Sequence, residues 1–191
     1  MTQTNLGASQ QCSNEVNSQS DSWKFGGECN KKPKHTVRIM FQNVNGLGYS
    51  HTSVKSNSIR KLMVKKEVDV MAIAETGINW SKVKRSQTLQ QVCKIWFERS
   101  KTTVSYNQYE KRKKNKHQPG GTAVIARGDL ALRHHKNEYD VKKLGRWASQ
   151  DYQGKGGIIT RVVSVYVPNP MQTHGPKKVA CQQQKACIYN N

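Results

Sequence analysis

The residues best placed to do chemistry follow two apolar stretches of the chain. Asn43 and Asn45 close the stretch that begins at residue 37, and Glu75 follows the stretch 68–74. One carboxylate and two amides offer several oxygen atoms and N–H groups to a ligand. Its position does not distinguish a functional Glu75 from an ordinary solvated carboxylate that follows a strand.

A strand, a helix and a second strand are predicted around these polar residues. The segment 37–43 is short and apolar, as in a strand, and 68–74 is apolar on both faces, as in a buried strand. Between them, residues 56–66 carry apolar side chains at helical spacing. A helical crossover makes the two strands parallel, so that both end at one edge of the sheet. Ligands bind at that edge in open α/β sheets, and the asparagines and the glutamate are expected there.

The rest of the chain predicts one α/β domain over residues 35–191. A second amphipathic helix is predicted over 82–95 and a third strand over 120–126, and the glycine-rich turn 154–157 separates two β-rich runs, as in a hairpin. Residues 1–34 are rich in Gln, Asn and Ser and poor in apolar residues. Because such a segment buries too little surface to offset the entropy of ordering, it is expected to be a disordered polar tail.

Positive charge is the main compositional feature. The chain has 32 Lys and Arg against 12 Asp and Glu, a net charge of +20. A surface of this kind attracts polyanions, so nucleic acid is the expected partner and a phosphoinositide-bearing membrane surface is the alternative. No apolar run approaches the roughly 20 residues of a membrane span, and the N terminus shows no secretory signal. The protein is therefore expected to be intracellular, with the nucleus as a candidate compartment.

The most basic segment, residues 99–118, has tyrosines between its cationic residues. Aromatic rings among cations suit stacking on bases next to phosphate contacts. The segment is predicted to be a surface hairpin or loop, and the alternative is a solvated charged loop without a partner. The residues expected to bind nucleic acid are Tyr109, Lys111, Arg112, Lys113, Lys114 and Lys116 in this segment, together with Arg146.

Three motifs along the chain resemble those of the endonuclease/exonuclease/phosphatase superfamily. They are residues 41–47 (FQNVNGL), residues 74–76 (AET) after the second predicted strand, and residues 165–169 (VYVPN). The resemblance implies an α/β fold, the DNase-I-like four-layered α/β sandwich. The form of the first motif is similar to the endonuclease domains that precede reverse transcriptase in non-LTR retrotransposon polyproteins.

The resemblance also implies a metal site and a set of catalytic residues. By this resemblance, Glu75 and Asn45 hold an essential Mg²⁺, with Mn²⁺ as a substitute, and Asn43, Glu75, Tyr166 and Asn169 surround the phosphate. A hard ion such as Mg²⁺ needs only one or two carboxylates besides waters and substrate oxygens. The alternatives are that Tyr166 is a packed strand residue and that Asn169 is a turn former beside proline.

Two motifs of the superfamily do not occur after Asn169 in this sequence. They are Gly-Asp-x-Asn, whose aspartate acts on the attacking water, and Ser-Asp-His, whose histidine contacts the phosphate. Asp129 follows a glycine but precedes the third motif, so it does not match. The chain is therefore expected to be a C-terminally truncated, incomplete sandwich. The retrotransposon resemblance implies a reverse transcriptase domain in the full-length protein.

These observations predict a Mg²⁺-dependent endonuclease-type domain that acts on DNA, with RNA as the alternative polynucleotide. Its activity alone is expected to be weak or absent, which leaves open whether the chain is an enzyme. An alternative of another class is a non-catalytic, basic nucleic-acid-binding remnant. A third is a phosphatase of the same superfamily that acts on phosphoinositides or sphingomyelin.

Overall fold

The computed structural model describes residues 31–108, 116–168 and 187–190. Most of the predicted disordered tail, residues 1–30, lies outside these ranges. Among the described residues, no helix has the length and hydrophobicity needed to cross a membrane.

The first sheet contains the predicted strand–helix–strand unit. Strand β1 (Ile39–Asn43) runs parallel to β2 (Val70–Ala74), and helix α1 (Val54–Lys65) connects them. Strands β4 (Thr122–Arg127) and β3 (Ser100–Ser105) extend the sheet by antiparallel pairing, in the order β1-β2-β4-β3. The parallel unit and the third predicted strand are thus confirmed.

The structure differs from the helix predicted over residues 82–95. Helix α2 covers only Leu89–Trp96, and two single 3₁₀ turns, Trp80–Lys82 and Arg85–Gln87, precede it. The helical prediction is therefore wrong before Leu89. The buried side chains of α2 include Leu89 and Trp96. Regular helical spacing of apolar residues begins only at Leu89.

The second sheet is antiparallel throughout the described residues. Its order is β5-β6-β7-β8, and the strands are β5 (His134–Tyr139), β6 (Trp147–Gln153), β7 (Ile159–Val165) and β8 (Cys187–Asn190). A one-turn helix, α3 (Asp129–Leu132), joins the two sheets. The predicted hairpin is confirmed as β6–β7, with the 3₁₀ turn Lys155–Gly157 at its tip.

Burial shows how the layers stack. Strand β2 is buried along its whole length, and successive side chains of a strand point to opposite faces. Met71 and Ile73 pack in a core that includes residues of α1 and α2. On the other face lies a second core, formed by Val70, Ala72, Val124, Ala126, Ala148, Tyr152 and Val162. The two sheets therefore pack face to face, and the α/β sandwich class is confirmed, with three of the four expected layers in the described residues.

Buried hydrogen bonds join the two sheets at this interface. The amide Nε2 of Gln150 donates to Thr103 Oγ1 at 2.9 Å and to the carbonyl of Val124 at 3.1 Å. The hydroxyl of Tyr152 donates to Gln150 Oε1 at 2.5 Å. Burial raises the pKa of the Tyr152 phenol, so this group stays protonated and remains a donor.

The prediction of a surface hairpin or loop over residues 99–118 is wrong for its first part. Strand β3 pairs with β4 at the edge of the first sheet, and Thr103, Val104 and Ser105 are buried. Thr103 can be buried because its hydroxyl accepts the hydrogen bond from Gln150 in the other sheet.

Replacing Gln150 by Met tests the buried polar connection between the sheets. The substitution removes the acceptor of the Tyr152 hydroxyl and the donor to Thr103, and unpartnered buried polar groups cost about 1–3 kcal/mol. We expect the free energy of unfolding, measured by urea denaturation, to fall by about that amount. The matched control Gln153→Met, at the exposed end of the same strand, should change the free energy of unfolding by less than about 0.5 kcal/mol. Equal effects of the two substitutions would contradict the role of Gln150.

Candidate active site

The carboxyl ends of β1 and β2 lie side by side, and their pairing continues beyond both strands. The amide of Val44 donates to the carbonyl of Ala74 at 3.0 Å, and the amide of Gly46 donates to the backbone carbonyl of Glu75 at 2.6 Å. The amide of Leu47 then donates to the carbonyl of Thr76 at 2.7 Å. The segment that carries Asn45 is thus held against the segment that carries Glu75.

Both of these segments turn through unusual backbone conformations. Asn45 has φ of 44° and Glu75 has φ of 57°, each in the left-handed region. Asparagine tolerates this region, whereas glutamate adopts it rarely, at a cost of about 1–2 kcal/mol. Such conformations persist where the surrounding structure fixes them, and they cluster at functional sites.

A cavity of about 460 Å³ opens at this edge of the sheet. It is lined from four parts of the chain, by Asn45 and Gly46, by Glu75 and Gly77, by His117, Gln118, Pro119 and Gly120, and by Tyr166. Glu75 and Tyr166 are half-buried, while Asn45 is exposed. The structure therefore brings together three of the predicted site residues, Asn45, Glu75 and Tyr166, which are far apart in sequence.

Asn43 lies beside this cavity and supports its wall. Its Oδ1 accepts a hydrogen bond from the amide of Asn45 at 3.0 Å, and the residue lines a neighbouring opening of about 330 Å³. From α1, Lys55 Nζ donates to the carbonyl of Asn45 at 2.8 Å. In this arrangement Asn43 shapes the turn that presents Asn45 and does not itself line the cavity that Glu75 lines.

Tyr166 is positioned by contacts from both sheets. Its amide donates to the carbonyl of Arg146 at 2.6 Å. Two residues earlier, the buried Ser164 hydroxyl donates to the carbonyl of Ile73 at 2.7 Å, and Ile73 in turn precedes Glu75 by two residues. The ring of Tyr166 lies so close to Gly120 that a Cβ there would be 3.0 Å from Tyr166 Cε1.

The loop before β4 is held against the segment after β2 by backbone hydrogen bonds. The backbone amide of Thr76 donates to the carbonyl of Gly121 at 3.0 Å, and the amide of Gly77 donates to the carbonyl of Gly120 at 2.8 Å. Gly121 has φ of +89°, and a Cβ at this position would be 2.2 Å from Thr76 Oγ1. Only glycine allows this approach, which places His117 and Gln118 opposite Glu75.

Several residues expected to bind nucleic acid or phosphate lie outside the described residues. These are Tyr109, Lys111, Arg112, Lys113, Lys114 and Asn169. Lys116 and Arg146 are described, and both are exposed. Sequence reasoning missed His117 and Gln118 because both lie in a loop without a motif. The glycine pair after His117 and Gln118 is the signal that could have identified this loop as one that approaches another segment closely.

The chemistry of the donor groups fits a hard divalent cation. Glu75 supplies a carboxylate and Asn45 an amide oxygen, and Mg²⁺ is typically held by one or two carboxylates, waters and substrate phosphates. Within residues 31–108 and 116–168, no group of three or more His, Cys, Asp or Glu side chains could hold a metal. The cavity therefore suits an ion that keeps most of its water ligands better than a tightly caged structural metal.

Comparisons with known proteins find similarity in backbone structure alone. No protein-family model matches the sequence, and no curated protein matches it. One similar solved structure is the 3′ phosphatase NExo from Neisseria bound to product DNA hairpin, with 14% identity, a TM-score of 0.46, and coverage of 69% of this chain and 41% of that one.

Two further similar structures come from other organisms. One is an AP endonuclease from Archaeoglobus fulgidus, with 14% identity, a TM-score of 0.44, and coverage of 70% of this chain and 42% of the other. Another is an endonuclease/exonuclease/phosphatase family protein from Leptotrichia buccalis, with 12% identity, a TM-score of 0.45, and coverage of 72% and 56%. The chain spans about two fifths of the length of the NExo and AP endonuclease structures.

Replacing Gly121 by Ala tests the close approach between the loop and Thr76. Both Gly121 and Gly156 have positive φ, but a Cβ at Gly156 meets nothing within 4 Å. Gly156→Ala should therefore lower the free energy of unfolding by only about 1–2 kcal/mol, because alanine disfavours a positive φ. Gly121→Ala should lower it by about 1–3 kcal/mol more through overpacking. Urea denaturation of both variants measures the difference. Equal losses would show that the loop does not need the contact with Thr76.

Proposed function

We propose that this protein is a Mg²⁺-dependent phosphodiesterase of the endonuclease type that acts on DNA. The observation that carries the proposal is the convergence of Glu75 and Asn45 with Tyr166 around one cavity. Glu75 and Asn45 are presented by strained turns at the adjacent ends of two parallel strands. This is the edge at which α/β sheets bind their ligands.

The side chains in and beside the cavity have different proposed roles. Glu75 and Asn45 would hold the cation through oxygen atoms, and Asn43 would fix the turn that carries Asn45. When bound there, Mg²⁺ supplies positive charge that offsets the charge of a phosphodiester. The Tyr166 hydroxyl can donate a hydrogen bond to a phosphate oxygen, and such donors act most strongly when they are already in place before the reaction.

A polynucleotide is the substrate class that the charge supports. The net charge of +20 favours binding to phosphates. Contacts from lysine and arginine to phosphates dominate the affinity for nucleic acid and do not depend on its sequence. The exposed side chains of Lys55, Lys116 and Arg146 belong to segments that border the cavity or position its lining residues. The first sequence motif extends the proposal to DNA nicking of the retrotransposon kind, in the nucleus, with a reverse transcriptase domain as partner.

Catalysis by this chain alone is proposed to be slow. The sequence after Asn169 contains neither Gly-Asp-x-Asn nor Ser-Asp-His. A group that positions or activates the attacking water typically contributes about 10²–10⁴-fold to the rate. The second candidate is a DNA-binding protein without the chemistry, for which the net charge of +20 would be sufficient.

Replacing Glu75 by Gln separates the two candidates. Glutamine keeps the size of the side chain but removes the charge that holds the cation, so nicking of supercoiled plasmid in Mg²⁺ should fall at least about 100-fold. DNA binding measured in EDTA should stay unchanged, because no cation is present to be lost. The control Glu98→Gln changes an exposed glutamate before β3 and should leave the nicking rate unchanged.

Two results would count against the enzyme. If the wild-type chain binds DNA but nicks no plasmid in either Mg²⁺ or Mn²⁺, the non-catalytic candidate is correct. If Glu75→Gln nicks as fast as the wild type, the observed activity does not come from this cavity.

A further inference from the structure

Two aromatic rings and a lysine lie together at the rim of the cavity. The ring centroids of Tyr49 and His117 are 6.2 Å apart and the ring planes are tilted by 53°. Lys116 Nζ is 4.8 Å from the centroid of the Tyr49 ring. His117 itself lines the cavity together with Glu75. We name Tyr49, Lys116 and His117 the rim cluster.

The backbone around the rim cluster is held in place before any ligand binds. The amide of Asn79 donates to the carbonyl of Lys116 at 2.8 Å, and His117 forms a β-bridge with Ile78. Tyr49 is half-buried and packs against the core beneath the first sheet. Because Tyr49 is anchored in this way, its ring offers a fixed, tilted contact to the side chain of His117, an exposed residue. A binding surface that is already ordered loses less entropy when a ligand docks.

The chemistry of the rim cluster suits a nucleobase next to a phosphate. Bases stack on aromatic side chains without regard to sequence, because every base has a π face. A lysine beside such rings can contact the adjoining phosphate. The faces of bases inside a duplex are covered by neighbouring bases, so a ring at a cavity rim can reach only an unpaired, frayed or extruded base.

We propose that the rim cluster is a stacking site for an unpaired base that adjoins the phosphate held at Glu75. The inference rests on the proposed function and narrows its substrate to DNA that is single-stranded or locally unpaired at the site of attack. His117 is the ring that stacks, Tyr49 supports it, and Lys116 contacts a phosphate.

Binding without metal tests the stacking site separately from catalysis. Fluorescence anisotropy of the full-length chain in EDTA compares a labelled single-stranded DNA with the matching blunt duplex. His117→Ala should weaken single-strand binding by about 5- to 100-fold, the usual effect of losing one stacking ring. Duplex binding should change less than about twofold, because neighbouring pairs cover every base face except those at the two ends.

Variants at the same position separate the ring from the volume of the side chain. His117→Phe keeps a ring and should bind single strands within about threefold of the wild type. His117→Leu keeps an apolar side chain without a ring and should be as weak as His117→Ala. The control His135→Ala removes another exposed histidine, on β5, and should leave binding to both DNAs unchanged.

The salt dependence separates stacking from phosphate contact. Lys116→Ala should reduce the slope of log affinity against log salt on single strands by about 0.7, the value for one lost phosphate contact. His117→Ala should leave that slope unchanged while lowering the affinity. A single-stranded RNA of the same sequence should respond to His117→Ala in the same way, since the base face is common to both polymers.

Three results would overturn the stacking site. They are unchanged single-strand binding in His117→Ala, an equal loss on single strands and duplex, and a His117→Phe variant as weak as His117→Ala. Plasmid nicking by Glu75→Gln reports on the proposed function independently. If nicking depends on Glu75 while His117→Ala binds normally, only the stacking site is wrong, and if nicking fails while His117→Ala loses single-strand binding, only the enzymatic function is wrong.

Discussion

The parallel pairing of β1 with β2 determines where the candidate site residues lie. The hydrogen bonding continues beyond the two strands, from Gly46 to Glu75 and from Leu47 to Thr76. The segment after β1 is therefore held beside the segment after β2. Within this paired stretch Asn45 and Glu75 both adopt left-handed conformations, and both residues line the same cavity. Without this pairing, two residues 30 positions apart would have no reason to meet.

Packing between the two sheets adds Tyr166 to this pair. The hydrogen bond from Ser164 to Ile73 connects β7 with β2, and each partner lies two residues before a candidate site residue. The spacing of strand residues, about 3.3 Å per residue, keeps Tyr166 and Glu75 close to this bond. Buried polar groups such as Gln150 and Ser164 therefore do more than stabilise the interface, because their directional bonds determine how one sheet is placed on the other.

Apolar patterning explains why most elements could be predicted. Strand β2 is buried on both faces and was recognisable as a strand because all of its residues are apolar, as a fully covered strand requires. The buried position of β3 in the first sheet was not predicted, since its residues are mainly serine, threonine and lysine. Its burial depends on the amide of Gln150, which reaches Thr103 from 47 residues away. Local patterning carries no information about a partner at that distance, and the same limit explains the missed loop around His117.

The sequence by itself determined the class of fold, the strand–helix–strand unit and the residue types at its open edge, because hydrophobic periodicity and turn residues act locally. It also determined the strong positive charge. Tertiary structure decided that Asn45 rather than Asn43 lines the cavity, since Asn43 is engaged by the amide of Asn45. It alone placed His117 at the cavity that Glu75 lines, because the contact between the loop before β4 and the segment after β2 depends on the absence of a side chain at Gly121.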